Sequence, residues 1–298
     1  MTSSPALPRR ALLALLVLSL IWGYNWVVMK EVARLASPLD FSAIRTVLGA
    51  AALFAAMRAL GRPLQRIRGR DVVVLGLLQT AAFTLLIQWA LVHGGAGKTA
   101  VLVYTMPFWL VPLATWLLGE RIGRGQWLAT GVAAAGLVMI LEPWSMGGSV
   151  LSNLLAMGGG LCWALATVVA KRLRQRQTVD LLALTAWQMF FGSIALCVAA
   201  LLVPSRPIDA TPYFYGALAF NALFATGLAW LLWLYVLQHL PAAIAGLSAL
   251  GIPAIGVLSG WLQLGERPSP AEMAGMGLIG LALALISLPG LRRPPSRS

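Results

Sequence analysis

The sequence has few acidic residues, histidines and cysteines, and each shortage excludes a class of protein. Nine Asp and Glu and two His among 298 residues leave no convergent acid–base group for catalysis, so we expect no catalytic residue and no enzyme. The two cysteines, Cys162 and Cys197, lie inside apolar runs and form neither a disulfide framework nor a Cys/His metal motif. We therefore expect no cofactor and no metal.

Charge of either sign is scarce. Charged residues make up 10% of the chain, against about 25% in soluble domains, while 59% of the residues are hydrophobic and the mean hydropathy is +0.83. The net charge of +13 belongs to basic residues that lie between apolar runs and form no continuous stripe, which argues against nucleic acid as a partner. These properties predict an all-α integral membrane protein whose surface faces lipid.

Apolar runs long enough to cross a bilayer recur along the chain. About 20 apolar residues cross a hydrocarbon core as a helix. The run after Arg9 and Arg10 continues to Met29 without a small-residue cleavage site, so we interpret it as a retained first helix and not as a signal peptide. Ten spans are predicted, at 11–33, 39–60, 72–92, 98–118, 124–142, 150–170, 180–203, 212–236, 242–264 and 271–290.

The basic residues predict the orientation. With the N-terminus in the cytoplasm, sixteen of the 22 Lys and Arg fall in cytoplasmic segments, five fall on the opposite face, and Arg45 lies within the second span. This asymmetry is the one that the positive-inside rule requires. We therefore predict a multi-pass protein of the inner membrane with both termini in the cytoplasm.

Two parts of the chain resemble each other. Trp22 matches Trp163 at an offset of 141, and Pro107 matches Pro253 at an offset of 146. The tripeptide Gly-Glu-Arg occurs at 119–121 and again at 265–267. We infer a duplication into repeats 1–144 and 145–298. Because each repeat has five spans, the second is inverted relative to the first, an arrangement typical of transporters with a central cavity where the repeats meet.

These motifs resemble a known family. The Trp-Gly-Tyr-Asn sequence at 22–25, the Pro38…Arg45 pattern and the duplicated Gly-Glu-Arg junction are similar to the drug/metabolite transporter superfamily, EamA-type, over nearly the whole chain. Within it the chain looks closest to the YddG-type amino-acid exporters. The resemblance implies ten helices in two inverted repeats and the export of amino acids or other small metabolites, with aromatic or apolar amino acids favoured.

Candidate binding residues are the polar and aromatic side chains that fall near the middle of the predicted spans. Polar groups are costly in a bilayer, so their positions indicate function. The third span also has a stripe of Thr80, Thr84 and Gln88, and Thr226 follows in the eighth. The predicted substrate-binding residues are Trp22, Asn25, Gln79, Phe83, Tyr104, Pro107, Trp163, Thr167, Asn221, Trp230, Ser248 and Pro253.

Several candidates have a purely structural alternative. Pro107 and Pro253 each remove a helix hydrogen bond, which either opens a binding site or only kinks a packed helix. Tryptophans near span ends, such as Trp26 and Trp116, are assigned to the membrane interface. Asparagine, glutamine, threonine and serine side chains also hydrogen-bond neighbouring helices or their own backbone.

Charged side chains are expected outside the cavity. All Asp and Glu lie at span ends or in loops, so no buried carboxylate is available to relay protons, and we hypothesise facilitated diffusion. Arg45 is interpreted as a residue that snorkels or caps carbonyls near a span end. Lys30 and Lys171 are placed at helix ends, where a cation is stabilised by the helix dipole.

The sequence thus favours a secondary transporter that works by alternating access on a small-molecule substrate, surrounded by membrane lipid. A multidrug or nucleotide-sugar carrier of the same fold remains an alternative, and a membrane-embedded enzyme or a channel represents another class. Single-channel currents would identify a channel. A monomer is compatible with the sequence.

Overall fold

The computed structural model describes residues 9–63, 67, 69–93, 96–142, 150–265 and 267–291. All regular secondary structure in these ranges is helical, which agrees with the predicted all-α class. The boundary proposed between the two repeats, at residues 144 and 145, lies outside the described residues, and so does Glu266 of the second Gly-Glu-Arg junction.

The described residues form ten helical rods, several of them interrupted. We number them in chain order. Their bounds are α1, Arg9–Val32; α2, Pro38–Ala59; α3, Gly69–Gly76 continuing through Leu77–Ala82 to Phe83–His93; α4, Ala96–Val103 and Met106–Leu118; α5, Arg124–Leu141; α6, Val150–Arg176; α7, Leu181–Leu202; α8, Pro212–Phe220 continuing through Asn221–Leu228 to Ala229–His239; α9, Ala242–Ser248 and Gly251–Leu264; and α10, Pro270–Leu291.

Eight of the described helices are long and apolar enough to cross a bilayer. They correspond to α1 to α4 and α6 to α9, and α10 contains a shorter apolar stretch over Pro270–Leu285. The chain is therefore a multi-span membrane protein, and the full set of ten spans stays a prediction. The largest difference from the predicted boundaries is in α6, which extends to Arg176 instead of ending at residue 170, and so Lys171 lies within the helix.

Irregular backbone recurs at related places in the two parts of the chain. A π-helical segment interrupts α3 at Leu77–Ala82 and α8 at Asn221–Leu228. Two-residue breaks divide α4 after Val103 and α9 after Ser248. Gly119 and Gly265 end the divided helices with φ of 68° and 69°, a left-handed conformation that favours glycine. The repeated Gly of the Gly-Glu-Arg junction thus has the same structural role twice.

Close contacts also join the two halves of the described chain, residues 9–142 and 150–291, and these contacts occur in related pairs. A Cβ atom on Gly49 of α2 would lie 3.0 Å from the carbonyl oxygen of Ala222 in the π segment of α8. A Cβ atom on Gly192 of α7 would lie 2.7 Å from the carbonyl oxygen of Gly76 and would overlap Thr80 at the π segment of α3. In both places the absence of a side chain lets a helix reach the backbone of the opposite half.

Other contacts between the halves also occur in related pairs of helices. α1 packs on α9 and α6 packs on α4, while α2 packs on α7 and α5 packs on α10. At the last crossing, a Cβ atom on Gly136 would lie 2.8 Å from the carbonyl oxygen of Gly275. This helix pair contributes no residue to the cavity described below.

Candidate functional site

The candidate site is a cavity between the two halves, near the π segments of α3 and α8. Its volume is about 110 Å³, several times the roughly 10–15 Å³ of cavity volume that is sufficient to hold one water. Six rods contribute to it, namely α1 to α4, α6 and α8. The lining residues are Trp22, Asn25, Trp26, Met29, Arg45, Thr46, Gln79, Thr80, Phe83, Thr84, Ile87, Gln88, Val103, Tyr104, Trp163, Ala225, Thr226 and Trp230.

Aromatic rings form much of the wall. The ring centroid of Trp22 lies 4.8 Å from that of Trp230 and 5.4 Å from that of Trp163, in both cases edge to face. Phe83 contacts Trp163 and Trp230 at 5.7 and 6.0 Å, again edge to face. Since edge-to-face packing is a favoured geometry for aromatic pairs, the four rings form a stable apolar surface. We call Trp22, Phe83, Trp163 and Trp230 the aromatic wall.

Hydrogen bonds also fix aromatic side chains at the cavity. The indole N–H of Trp22 donates to the carbonyl oxygen of Ala225 at 2.9 Å. The indole N–H of Trp26 donates to the phenolic oxygen of Tyr104 at 3.1 Å. These bonds hold α1 against α8 and α4, so the aromatic residues are oriented as well as packed.

Buried polar atoms also face this cavity. Gln79 is fully buried in the π segment of α3, and both atoms of its amide lack a hydrogen-bond partner among the described residues. The same holds for the hydroxyl groups of Thr80 and Thr226, which the two π segments place at related positions. Buried polar groups are ordinarily hydrogen-bonded, so unpartnered ones that line a cavity indicate a ligand site. π-helical segments occur frequently at functional sites.

Arg45 is a cavity residue, and the expectation of a wall without charged side chains is wrong at this position. Arg45 lies seven residues into α2, about 10 Å from its first residue at 1.5 Å per residue. Its Nη1 donates to Oδ1 of Asn221 at 3.0 Å, so the guanidinium is held by an amide on α8 and does not snorkel along lipid.

Seven of the twelve predicted binding residues line the cavity, and the structure brings them together from five rods. These seven are Trp22, Asn25, Gln79, Phe83, Tyr104, Trp163 and Trp230. The polar stripe of α3 and Met29 also reach it.

The other five predicted residues do not line this cavity. Asn221 stands behind Arg45 and donates from Nδ2 to the carbonyl oxygen of Ala217 at 3.2 Å. The hydroxyl of Thr167 donates to the carbonyl oxygen of Trp163 on its own helix at 3.0 Å, and Ser248 is buried elsewhere at the end of a short α9 segment. The side chains of Asn221 and Thr167 thus have hydrogen-bond partners within the bundle.

Pro107 and Pro253 follow the breaks in α4 and α9 and lie outside the cavity wall. Proline suits the first turn of a helix, where its missing N–H has no partner to lose. Pro107 accordingly occupies the first turn of Met106–Leu118, and the residues before it, Val103 and Tyr104, line the cavity. The proline thus marks the site without forming its wall.

Trp26 and Arg45 line the cavity, although the sequence analysis predicts other roles for them. The position of Trp26 near a span end predicts a place in the membrane interface, yet Trp26 lies one helical turn after Trp22 and shares its face. Arg45 is a cation inside an apolar span, which is itself an indication of function. A position near a helix end therefore does not exclude a residue from the cavity.

A polar cluster lies beyond the cavity, where α4, α6 and α9 meet. The Glu120 carboxylate accepts the backbone N–H groups of Ala242 and Ala243 at 2.7 and 3.1 Å, at the start of α9. Nζ of Lys171 lies 3.6 Å from Glu120 and donates to the carbonyl oxygen of Leu240 at 2.6 Å. We call Glu120, Lys171 and these backbone groups the end cluster. It joins the two halves about 24 Å along α4 from Tyr104.

A multi-span helical bundle with an internal cavity is an architecture typical of membrane transport proteins. The sequence matches the model of the EamA-like transporter family over residues 9–142 and 150–288. The chain belongs to the EamA-like transporter family, and the resemblance noted from its motifs is confirmed.

Known relatives and a solved structure agree with this assignment. The chain is 28% identical to the uncharacterized transporter YoaV of Bacillus subtilis, over 87% of this chain and 90% of YoaV. It is 26% identical to the uncharacterized inner membrane transporter YedA of Escherichia coli K12, over 92% of this chain and 90% of YedA. A crystal structure matches with a TM-score of 0.83 and 19% identity over 95% of this chain and 98% of its own, which shows a shared fold.

Proposed function

We propose that this protein exports amino acids with apolar or aromatic side chains across the inner membrane. The observation that carries the proposal is the cavity itself, in which the aromatic wall and unpartnered polar atoms are combined. An aromatic or branched side chain of the amino acid packs against the rings, while Gln79 and the threonines of the π segments hydrogen-bond the polar end of the amino acid. YedA is described as an inner membrane transporter, which supports the location.

The proposed mechanism is alternating access between two inverted five-helix repeats, residues 1–144 and 145–298. Three observations support it: the paired π segments, the paired glycine contacts and the match of the family model to two successive segments. Two related halves exchange conformations, so that one face closes as the other opens.

The position of the cavity suits one state of such a cycle. Trp22 to Met29 occupy the second half of α1, and Arg45 lies in the first half of α2, so the cavity is displaced toward the bundle end where α1 finishes and α2 begins. The end cluster joins the halves further along α4. With both termini in the cytoplasm, as we propose from the basic residues, the cavity lies nearer the outer face.

A multidrug or nucleotide-sugar carrier of the same fold is the alternative. A nucleotide sugar carries two phosphate charges, whereas Arg45 is the single cation among the residues that line the described cavity. The volume of about 110 Å³ also favours a compact substrate. These two features make an amino acid the better match.

Transport assays test the proposal. The purified protein is reconstituted in proteoliposomes and supplied with labelled amino acids, with and without a pH gradient. We expect counterflow of aromatic and branched amino acids. A pH gradient alone produces no accumulation, because none of the lining residues of the described cavity is an Asp or Glu. Absence of counterflow for every amino acid contradicts the substrate class, and accumulation driven by protons contradicts facilitated diffusion.

The topology has its own test. Cysteines introduced at positions 65 and 175 are labelled with a membrane-impermeant maleimide in intact and in permeabilised cells. We expect both to react only after permeabilisation. Labelling of the two positions from opposite faces rules out the inverted arrangement.

A further inference from the structure

Arg45 lines the cavity without a counter-charge. Its Nη1 donates to the neutral amide of Asn221, its Nε has no hydrogen-bond partner, and no carboxylate in the described part of the chain pairs with it. Lys171, by contrast, pairs with Glu120 and donates to a carbonyl group. An unpaired cation at membrane depth is costly, so an arriving anion gains more here than in water.

The Asn221 amide orients the guanidinium. Its Oδ1 accepts from Arg45 while its Nδ2 donates to the carbonyl oxygen of Ala217, one turn earlier on α8. Both ends of the amide are therefore fixed, and they fix one nitrogen of the guanidinium. The other N–H groups stay available, and the planar guanidinium is suited to a carboxylate, which it can bind through two parallel hydrogen bonds.

The same cavity offers acceptors for a positive group. Oδ1 of Asn25, Oε1 of Gln79 and Oε1 of Gln88 line it and lack a hydrogen-bond partner in the described residues. For Gln88 the orientation is set, because its Nε2 donates to the hydroxyl of Ser42 at 2.8 Å. An ammonium group has three N–H donors that such oxygens accept.

We propose that Arg45 binds the carboxylate of the substrate and makes a free carboxylate the feature that the site requires. The amide oxygens of Asn25, Gln79 and Gln88 then receive the ammonium group, and the aromatic wall receives the side chain. This inference rests on the proposed function, which it extends from a class of side chains to a specific head group and a specificity-determining residue. Its alternative is that Arg45 only ties α2 to α8 through Asn221.

Four ligands with one phenyl group separate these possibilities. L-Phenylalanine has both charges, 3-phenylpropionate has the carboxylate only, and L-phenylalaninamide and phenethylamine have the ammonium only. Binding to the full chain in nanodiscs is followed by tryptophan fluorescence, since Trp22, Trp163 and Trp230 line the cavity. We expect the two ligands with a carboxylate to bind about ten- to hundredfold more tightly than the two ligands without one. This is the range for hydrogen bonds to a charged group.

Variants assign the preference to Arg45. Arg45→Gln abolishes the difference between phenylalanine and its amide, Arg45→Lys retains part of it, and Arg58→Gln serves as control, because Arg58 is exposed on the same helix. Equal binding of phenylalanine and its amide by the wild type overturns the proposal, and that comparison needs no variant to fold. A similar loss for all four ligands in Arg45→Gln, with a lowered melting temperature, overturns it in favour of the structural role.

The outcomes also separate this inference from the proposed function. If 3-phenylpropionate binds in an Arg45-dependent manner and phenylalanine does not, the carboxylate site stands and amino-acid export is wrong. If phenylalanine is transported but its amide competes equally, export stands and the carboxylate site is wrong. If the folded wild type binds none of the four ligands, both are overturned.

Discussion

The indole N–H of Trp22 donates to the carbonyl oxygen of Ala225 across 2.9 Å, from the first helix to the π segment of the eighth. The two residues are 203 positions apart, so this bond joins the halves at the cavity itself. A π segment shifts the backbone hydrogen-bonding pattern, and the indole satisfies a carbonyl group at that shift. The proposed substrate site and the contact between the halves therefore share a residue.

Trp22→Phe should lower the free energy of unfolding by about 1 kcal/mol, because it removes this hydrogen bond and retains an aromatic ring. Thermal unfolding in detergent, followed by intrinsic fluorescence, measures the change. Trp116→Phe is the control, since Trp116 is 80% exposed on the bundle surface. Equal melting temperatures for both variants would show that the Trp22 bond contributes nothing.

Gly192→Ala should destabilise the protein by about 1–3 kcal/mol, the range for overpacking a tight core. The added methyl group would overlap Thr80 and approach the carbonyl oxygen of Gly76. Gly216→Ala offers a matched control, because nothing lies within 4 Å of its Cβ position in α8. That variant should be neutral or slightly stabilised, as Ala favours helix over Gly by up to about 1 kcal/mol. Melting temperatures of the two variants decide the matter, and similar shifts would contradict the close contact.

Glu120→Gln should loosen the end cluster, because it removes the charge that Lys171 and two backbone N–H groups share. Charge-assisted hydrogen bonds contribute about 1.5–3 kcal/mol each. A cysteine at the buried position Ala170, in a background without native cysteines, should then react faster with a soluble maleimide.

The control for the end cluster is Glu31→Gln. Glu31 pairs with Arg34 at 3.3 Å, and the arginine side chain is 70% exposed, so solvent already weakens this ion pair. We expect no change in maleimide reactivity. An unchanged rate in Glu120→Gln as well would mean that the end cluster does not hold the halves together.

Gln79→Ala and Trp163→Ala should each reduce counterflow of aromatic amino acids by about tenfold or more, without loss of expression. The first removes an unpartnered amide from the cavity, and the second removes a ring of the aromatic wall. Losing one charge-assisted hydrogen bond or one buried aromatic contact amounts to roughly 1.5–3 kcal/mol. Gln238→Ala is the control, because Gln238 is exposed near the end of α8. Wild-type flux in Gln79→Ala and Trp163→Ala would exclude both residues from the site.

Much of the helical layout could be predicted from apolar runs, because crossing a bilayer imposes a minimum length and forbids unsatisfied backbone. The π segments could not. They lie at contacts between distant helices, such as Gly192 against Gly76 and Thr80, which only the packed bundle brings together. The sequence indicates the break in α4 through Pro107 and predicts both Pro107 and Tyr104 as cavity residues, but only the packed structure places the proline outside the wall.

Polar candidates were predicted with less success for a related reason. A threonine or asparagine in an apolar span has either a ligand or a helix neighbour as its partner, and sequence alone does not decide between them. Thr80 faces the cavity, whereas Thr167 hydrogen-bonds its own helix. The distance of Arg45 from the middle of α2 predicts a place outside the cavity, yet its hydrogen bond to the amide of Asn221 on α8 holds it at the cavity wall.

The cavity wall departs from the two-fold relation that we propose for the helices. Fourteen of its eighteen residues come from the first half. The position related to Arg45 through the Gly49–Gly192 match is Gln188, a buried neutral residue that does not reach the wall. A perfectly symmetric cavity would bind a molecule whose two ends differ in two equivalent, opposite orientations. Because the related position is neutral, a zwitterionic ligand that places its carboxylate at Arg45 has one orientation in the cavity.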